Sequence, residues 1–134
     1  MNSISRIGKI LLNAKGHFQF FSCNYLRSEI QHHRNKLLKL TKLTDEQLNE
    51  LEEIVIHRIT FIDERLIHQN LLINTEYLLK TIDPNDTVFV ALTKHLEGKL
   101  WTGDMQLYNG LKAKQFKDIL LTSELSLLLD DVEK

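Results

Sequence analysis

The 134-residue chain (15.7 kDa) carries 43% hydrophobic and 26% charged residues, the composition of an ordinary globular protein able to bury a core. A single cysteine, Cys23, excludes an internal disulfide framework, and five glycines with one proline argue against low-complexity disorder and a turn-dense β-sandwich. The net charge of −1 conceals an asymmetry: residues 1–42 carry eight Lys/Arg against Glu29 alone, and the remainder is strongly acidic. The basic half therefore either suits a phosphate-bearing or acidic partner or neutralises the acidic half.

In chain order, the spacing of Ile7, Ile10, Leu11 and Ala14 predicts a helix over Ser5–Asn13, closed by Gly16. Phe18–Phe21 reads as a short strand of β-prone aromatics. Asn24 is an expected N-cap for one helix from Tyr25 to about Leu40, with Leu26, Ile30, Leu37 and Leu38 inward. Thr44 with Gln47 forms a capping-box pattern opening a helix to about His57, whose stripe is Leu48, Leu51, Ile54 and Val55. Ile59–Ile62 alternates like a strand. A helix then ends near Leu79, its start lying anywhere between Asp63 and Asn74.

Asp83-Pro84-Asn85-Asp86 has the chemistry of a helix start, with an acidic cap, proline and a first-turn acid. The helix it opens, Val88 to Leu96, is apolar on several sides and therefore buried, with Gly98 expected at its C-terminal cap. Leu100–Thr102 reads as a strand, Gly103-Asp104 as its exit turn, and Met105–Lys114 as a helix. Ile119–Thr122 is a last strand, and Ser123 is expected to cap a final turn through Leu129. Short strands alternating with helices predict an α/β fold with a small, mainly parallel sheet flanked by helices. The longest uninterrupted apolar stretch, Val88–Leu92, is far too short to span a bilayer, and the N-terminus has no apolar leader core. A soluble cytoplasmic protein without a membrane partner is the expectation.

Open parallel sheets place their sites beyond the carboxyl ends of the strands. Asp104 follows such a strand, and Asp86 opens the helix before it, so the two are expected to converge. Clustered carboxylates repel unless a cation lies between them, and hard oxygen donors suit Mg²⁺ or Mn²⁺. Asp83 and Asp86 are equally what a helix N-terminus wants for capping and dipole reasons. Among the six histidines, Glu29-x-x-His32 has the three-residue spacing of di-iron bundles but occurs only once, Glu53/His57 and Glu64/His68 are ordinary helix-surface neighbours, and Cys23 is expected to be a small buried thiol.

The run Asp83-Pro84-Asn85-Asp86-Thr87-Val88-Phe89-Val90-Ala91-Leu92, then Leu100-Trp101-Thr102-Gly103-Asp104 and Gly110-Leu111, resembles the C-terminal half of a PIN domain. Ser22-Cys23-Asn24-Tyr25-Leu26 with Glu29-Ile30 is similar to that family's strand-to-helix segment carrying a glutamate. The resemblance implies one PIN-like domain over 1–134, a three-layer α/β fold, and a Mg²⁺- or Mn²⁺-dependent ribonuclease. Glu29, Asp86 and Asp104 would be its catalytic and metal-holding carboxylates, with Asp83 auxiliary. RNA would be the substrate, contacted through Arg27 and Arg34. The resemblance extends to toxin-type (VapC-type) members, which implies an antitoxin partner. The chain departs from the family pattern at one place. No acidic residue precedes Glu29, and no apolar strand precedes the first helix, so Met1 is expected to stand beyond a missing first strand. Two consequences follow as expectations: an impaired nuclease, or an inactive PIN remnant that binds RNA or protein; and a compensating contact such as a homodimer.

Overall fold

The computed structural model describes residues 3–133, with the side chains of all but 3–5, 37, 40 and 41. The expected placement of Met1 beyond a lost strand, and the inward facing of Leu37, lie outside the described residues. The chain forms two compact units, the first reaching Ile62 and taking in the chain end from Val132, the second Asp63–Asp131. Each has its own pair of parallel strands with helices around it, which makes the protein α/β.

In the first unit, α1 (Ser3–Asn13) packs on α4 (Asp45–Arg58). Ile10, Leu11 and Ala14 on α1 are buried, as is Leu48 on α4. Gly16 turns the chain out of α1 with a φ of 87°, a left-handed conformation that glycine adopts without penalty. Strand β1 (Phe20–Cys23) starts two residues later than its aromatics predict and pairs in parallel with β2 (Ile59–Ile62), Phe20 opposite Ile59. Cys23 is buried, as expected of a small thiol.

The single helix expected over 25–40 is two: α2 (Asn24–His32) and α3 (Arg34–Thr41), broken at His33. No proline or glycine marks that break. Arg34 is instead drawn onto α4, donating to Glu52 at 2.7 Å and Asn49 at 2.7 Å. Helix α4 opens with both capping-box bonds made, Gln47 N–H to Thr44 Oγ1 at 3.1 Å and Thr44 N–H to Gln47 Oε1 at 3.0 Å.

In the second unit, α5 (Gln69–Leu79) is capped by His68, whose Nδ1 accepts from Asn70 N–H at 3.1 Å. A short 3₁₀ turn (Pro84–Asp86) precedes α6 (Thr87–Leu96), whose Val90, Ala91 and Leu92 are buried as their sequence demands. Glu97, not Gly98, takes the left-handed conformation that ends α6, and Gly98 N–H closes the turn onto Thr93 O. Strand β3 (Leu100–Thr102) pairs in parallel with β4 (Ile119–Leu121), and α7 (Met105–Ala113) bridges them. The core is Leu79, Val90, Leu107, Leu111 and Ile119, flanked by Ile82, Tyr108 and Phe116. Trp101 is half-buried and donates Nε1–H to Thr122 Oγ1.

The final helix, α8 (Thr122–Glu133), is three turns long instead of one. Its opening is fixed by Glu124 rather than Ser123: Oε1 accepts from Leu121 N–H at 3.0 Å, which holds the carboxyl below its usual range. Among the described residues no helix is long and apolar enough to cross a membrane.

Candidate metal centre

Three backbone events bring three aspartates together in the second unit. Asp83 caps the 3₁₀ turn, its Oδ1 accepting from Asn85 N–H at 3.0 Å. Asp86 ends that turn at the N-terminus of α6. Asp104 leaves β3 through Gly103 and caps α7, its Oδ1 accepting from Gln106 N–H at 2.9 Å and Leu107 N–H at 3.3 Å. One carboxylate oxygen from each lies within 4.8 Å of the other two. The cluster stands beyond the carboxyl end of β3, where a parallel sheet leaves its helix N-termini exposed to a ligand.

Capping accounts for Asp83 and Asp104 and not for Asp86. Its side chain makes no cap bond to α6. Burial, then the charges of Asp83 and Asp104, and a shared hydrogen bond with Asp83 push its carboxyl up to about 6. The N-terminal dipoles of α6 and α7 favour negative charge here, yet they do not cancel that penalty. Among the described residues no Lys, Arg or His lies at ion-pair distance from any of the three. Three hard oxygen donors with a mutual repulsion and a raised proton affinity fit a divalent cation of the Mg²⁺ or Mn²⁺ type. Of the three carboxylates expected to converge, Glu29, Asp86 and Asp104, the cluster holds Asp86 and Asp104, with Asp83 beside them.

Glu29 belongs to the first unit, on α2. Its carboxylate accepts from the Tyr25 hydroxyl, raising that phenol's proton affinity, and lies 3.1 Å from His33 Nε2. The histidine it meets is His33, one helical turn on, and not the His32 of the three-residue spacing. Of the two arginines singled out for RNA, Arg34 is engaged with Glu52, Asn49 and Asp45. Arg27 lies over the Phe61 ring, 4.6 Å from its centroid. His57 pairs with Glu53 on α4, an ordinary surface contact.

The α/β chain with its parallel strands thus presents, beyond a strand end, three oxygen donors to a divalent cation. The PIN domain family model matches residues 1–124, and the chain belongs to the PIN domain family. That family has a nuclease-type fold, is in general divalent-metal dependent, and binds RNA in general. No curated protein and no solved structure matches the chain.

Proposed function

We propose that this protein is a Mg²⁺- or Mn²⁺-dependent ribonuclease whose ion is held by Asp83, Asp86 and Asp104. The observation that carries the reading is the three-aspartate cluster in which Asp86 has no capping role and a carboxyl raised to about 6. A divalent cation there would supply water activation and charge neutralisation at the scissile phosphate. The capping bonds to Oδ1 fix the orientation of Asp83 and Asp104 and leave their second oxygens for other partners. Asp86, half-ionised near pH 6, holds a proton that ion binding must displace. Glu29 is retained as a catalytic carboxylate on the resemblance, and Arg27 as an RNA contact on the basic charge of residues 1–42.

The test is cleavage of a labelled RNA with Mn²⁺ or Mg²⁺, compared with chelator. Asp86→Asn and Asp104→Asn are each expected to reduce cleavage at least about a hundredfold, since ligand carboxylates act as a unit. Glu29→Gln is expected to reduce it as well. Ion-independent cleavage, or full activity in Asp86→Asn, would overturn the reading. RNA binding without cleavage in the unaltered protein would instead establish the non-catalytic PIN module. The narrower role as a toxin held by an antitoxin is supported by the resemblance, and is tested by growth arrest on expression that Asp104→Asn relieves. A homodimer is proposed with it and is read by light scattering.

A further inference from the structure

A polar cavity, of about 330 Å³, opens in the second unit at the far end of α6 from the aspartates. It is lined by Thr93, Lys94, Glu97, Gly98, Phe116 and Asp118, so it stands at the end of α6 and the entrances of β3 and β4. Its volume falls at the lower end of what small-ligand sites use, roughly 300–1,000 Å³. The hydroxyl of Thr93 is already spent on Phe89 O at 2.9 Å, and Gly98 N–H on Thr93 O. What the lining side chains still offer a ligand is one ammonium, two carboxylates, an aromatic ring and the lone pairs of Thr93 Oγ1.

Lys94 is the unusual member. It is half-buried, and burial pushes its amine below the usual range. Its Nζ stands 5.9 Å from the centroid of Phe116. Among the described residues no carboxylate lies at ion-pair distance from it, although Glu97 and Asp118 line the same cavity. A half-buried ammonium, two exposed carboxylates and an aromatic ring lining one cavity suit a planar heterocycle that accepts along one edge and donates along the next. Guanine has that pattern. O6 and N7 accept on one side, as they do from lysine in nucleic-acid recognition, while N1–H and the 2-amino group donate on the other. Adenine would turn its 6-amino donor toward Lys94. Uracil would bring a carbonyl oxygen against a carboxylate.

We propose that this cavity is a guanine-binding site, with Lys94 donating to the O6/N7 edge, Glu97 and Asp118 accepting from N1–H and the 2-amino group, and Phe116 covering the ring. Its role in choosing where RNA is cut rests on the ribonuclease reading above; its capacity to bind guanine does not. Thr87 to Lys94 spans about 10 Å along α6, about three stacked nucleotides at roughly 3.4 Å each. The guanine read would thus lie a few nucleotides from the bond beside the aspartates.

The experiment is calorimetric titration of the whole protein, without divalent ion, by the 5′-monophosphates of guanosine, adenosine, cytidine, uridine and inosine, and by inorganic phosphate. GMP is expected to bind about tenfold or more tighter than AMP, CMP and UMP, as paired polar groups allow. Inosine monophosphate, which lacks the 2-amino group, should fall by a similar factor, a comparison that needs no variant. Glu97→Gln combined with Asp118→Asn should erase the preference for GMP over inosine monophosphate, and Lys94→Gln should weaken GMP about tenfold. Equal binding of the four nucleotides, displacement of GMP by inorganic phosphate, or a preference that survives the double carboxylate variant overturns the proposal. Asp86→Asn protein should bind GMP as the parent does. GMP binding as described in a protein that never cleaves RNA would therefore sink the ribonuclease reading and uphold the guanine site.

Discussion

Asp86 holds its proton more tightly in the folded chain than in the unfolded one, about 6 against 3.8. The folded state therefore binds more protons between pH ~4 and ~6, and stability falls as pH rises through that window. The full penalty is present at pH 7. A two-unit shift corresponds to about 3 kcal/mol, and solvent screening at a half-exposed carboxyl reduces this to about 1 kcal/mol. Asp86→Asn is therefore expected to raise the melting temperature at pH 7 in chelator, by a few degrees. A lowered one would show that the aspartate is stabilising and the cluster misread. In the parent, Mn²⁺ should raise the melting temperature at pH 7.5 and lose that effect as Asp86 protonates below about pH 6. A shift independent of pH would exclude Asp86 as a ligand. At this scale the sequence displayed the acids but not which of them capping leaves over. Asp83, Asp86 and Asp104 all carry cap chemistry, and only the bonds actually made separate Asp86 from the other two.

Among the elements, α4 was legible because its start is written locally. Thr44 and Gln47 satisfy each other's backbone N–H groups without help from elsewhere. Thr44→Ala should cost about 1 kcal/mol of stability, read by urea denaturation; no change would mean that α4 is held by packing alone. Helix α7 carries the opposite case. A Cβ on Gly110 would stand 3.0 Å from two carbons of Ile82. Alanine gains about 1 kcal/mol in helix propensity, while overpacking costs about 1–3 kcal/mol. Gly110→Ala is therefore expected to destabilise by about 1 kcal/mol, and Ile82→Val in the same chain to recover part of it. Stabilisation by the single change would show that Ile82 yields freely. The break between α2 and α3 was not legible, since nothing local at His33 stops a helix; the pull of Glu52 and Asn49 on Arg34 comes from a segment 15 to 18 residues on. The sequence leaves the start of α5 open between Asp63 and Asn74 for a related reason, because a histidine acting as an N-cap leaves no distinctive pattern; the helix begins within that range, at Gln69.

For the molecule as a whole, the ion is expected to act on the second unit. Paramagnetic Mn²⁺ at substoichiometric amounts should broaden the amide resonances of residues 83–87 and 103–107 first. Early broadening confined to Glu29 and its neighbours would place the ion elsewhere. Composition and periodicity by themselves determined the α/β class, the buried character of α6, and the four strand segments to within about two residues. Each of these depends on apolar spacing or on a cap within a few positions. The tertiary structure alone decided that β1 pairs with β2 and β3 with β4 in two separate parallel pairs. It also decided that Asp83 joins Asp86 and Asp104, and that Lys94, Glu97, Phe116 and Asp118 share one cavity. Parallel pairing and converging side chains are non-local: the partners are set by where crossover helices return the chain, and no single stretch of sequence carries that information.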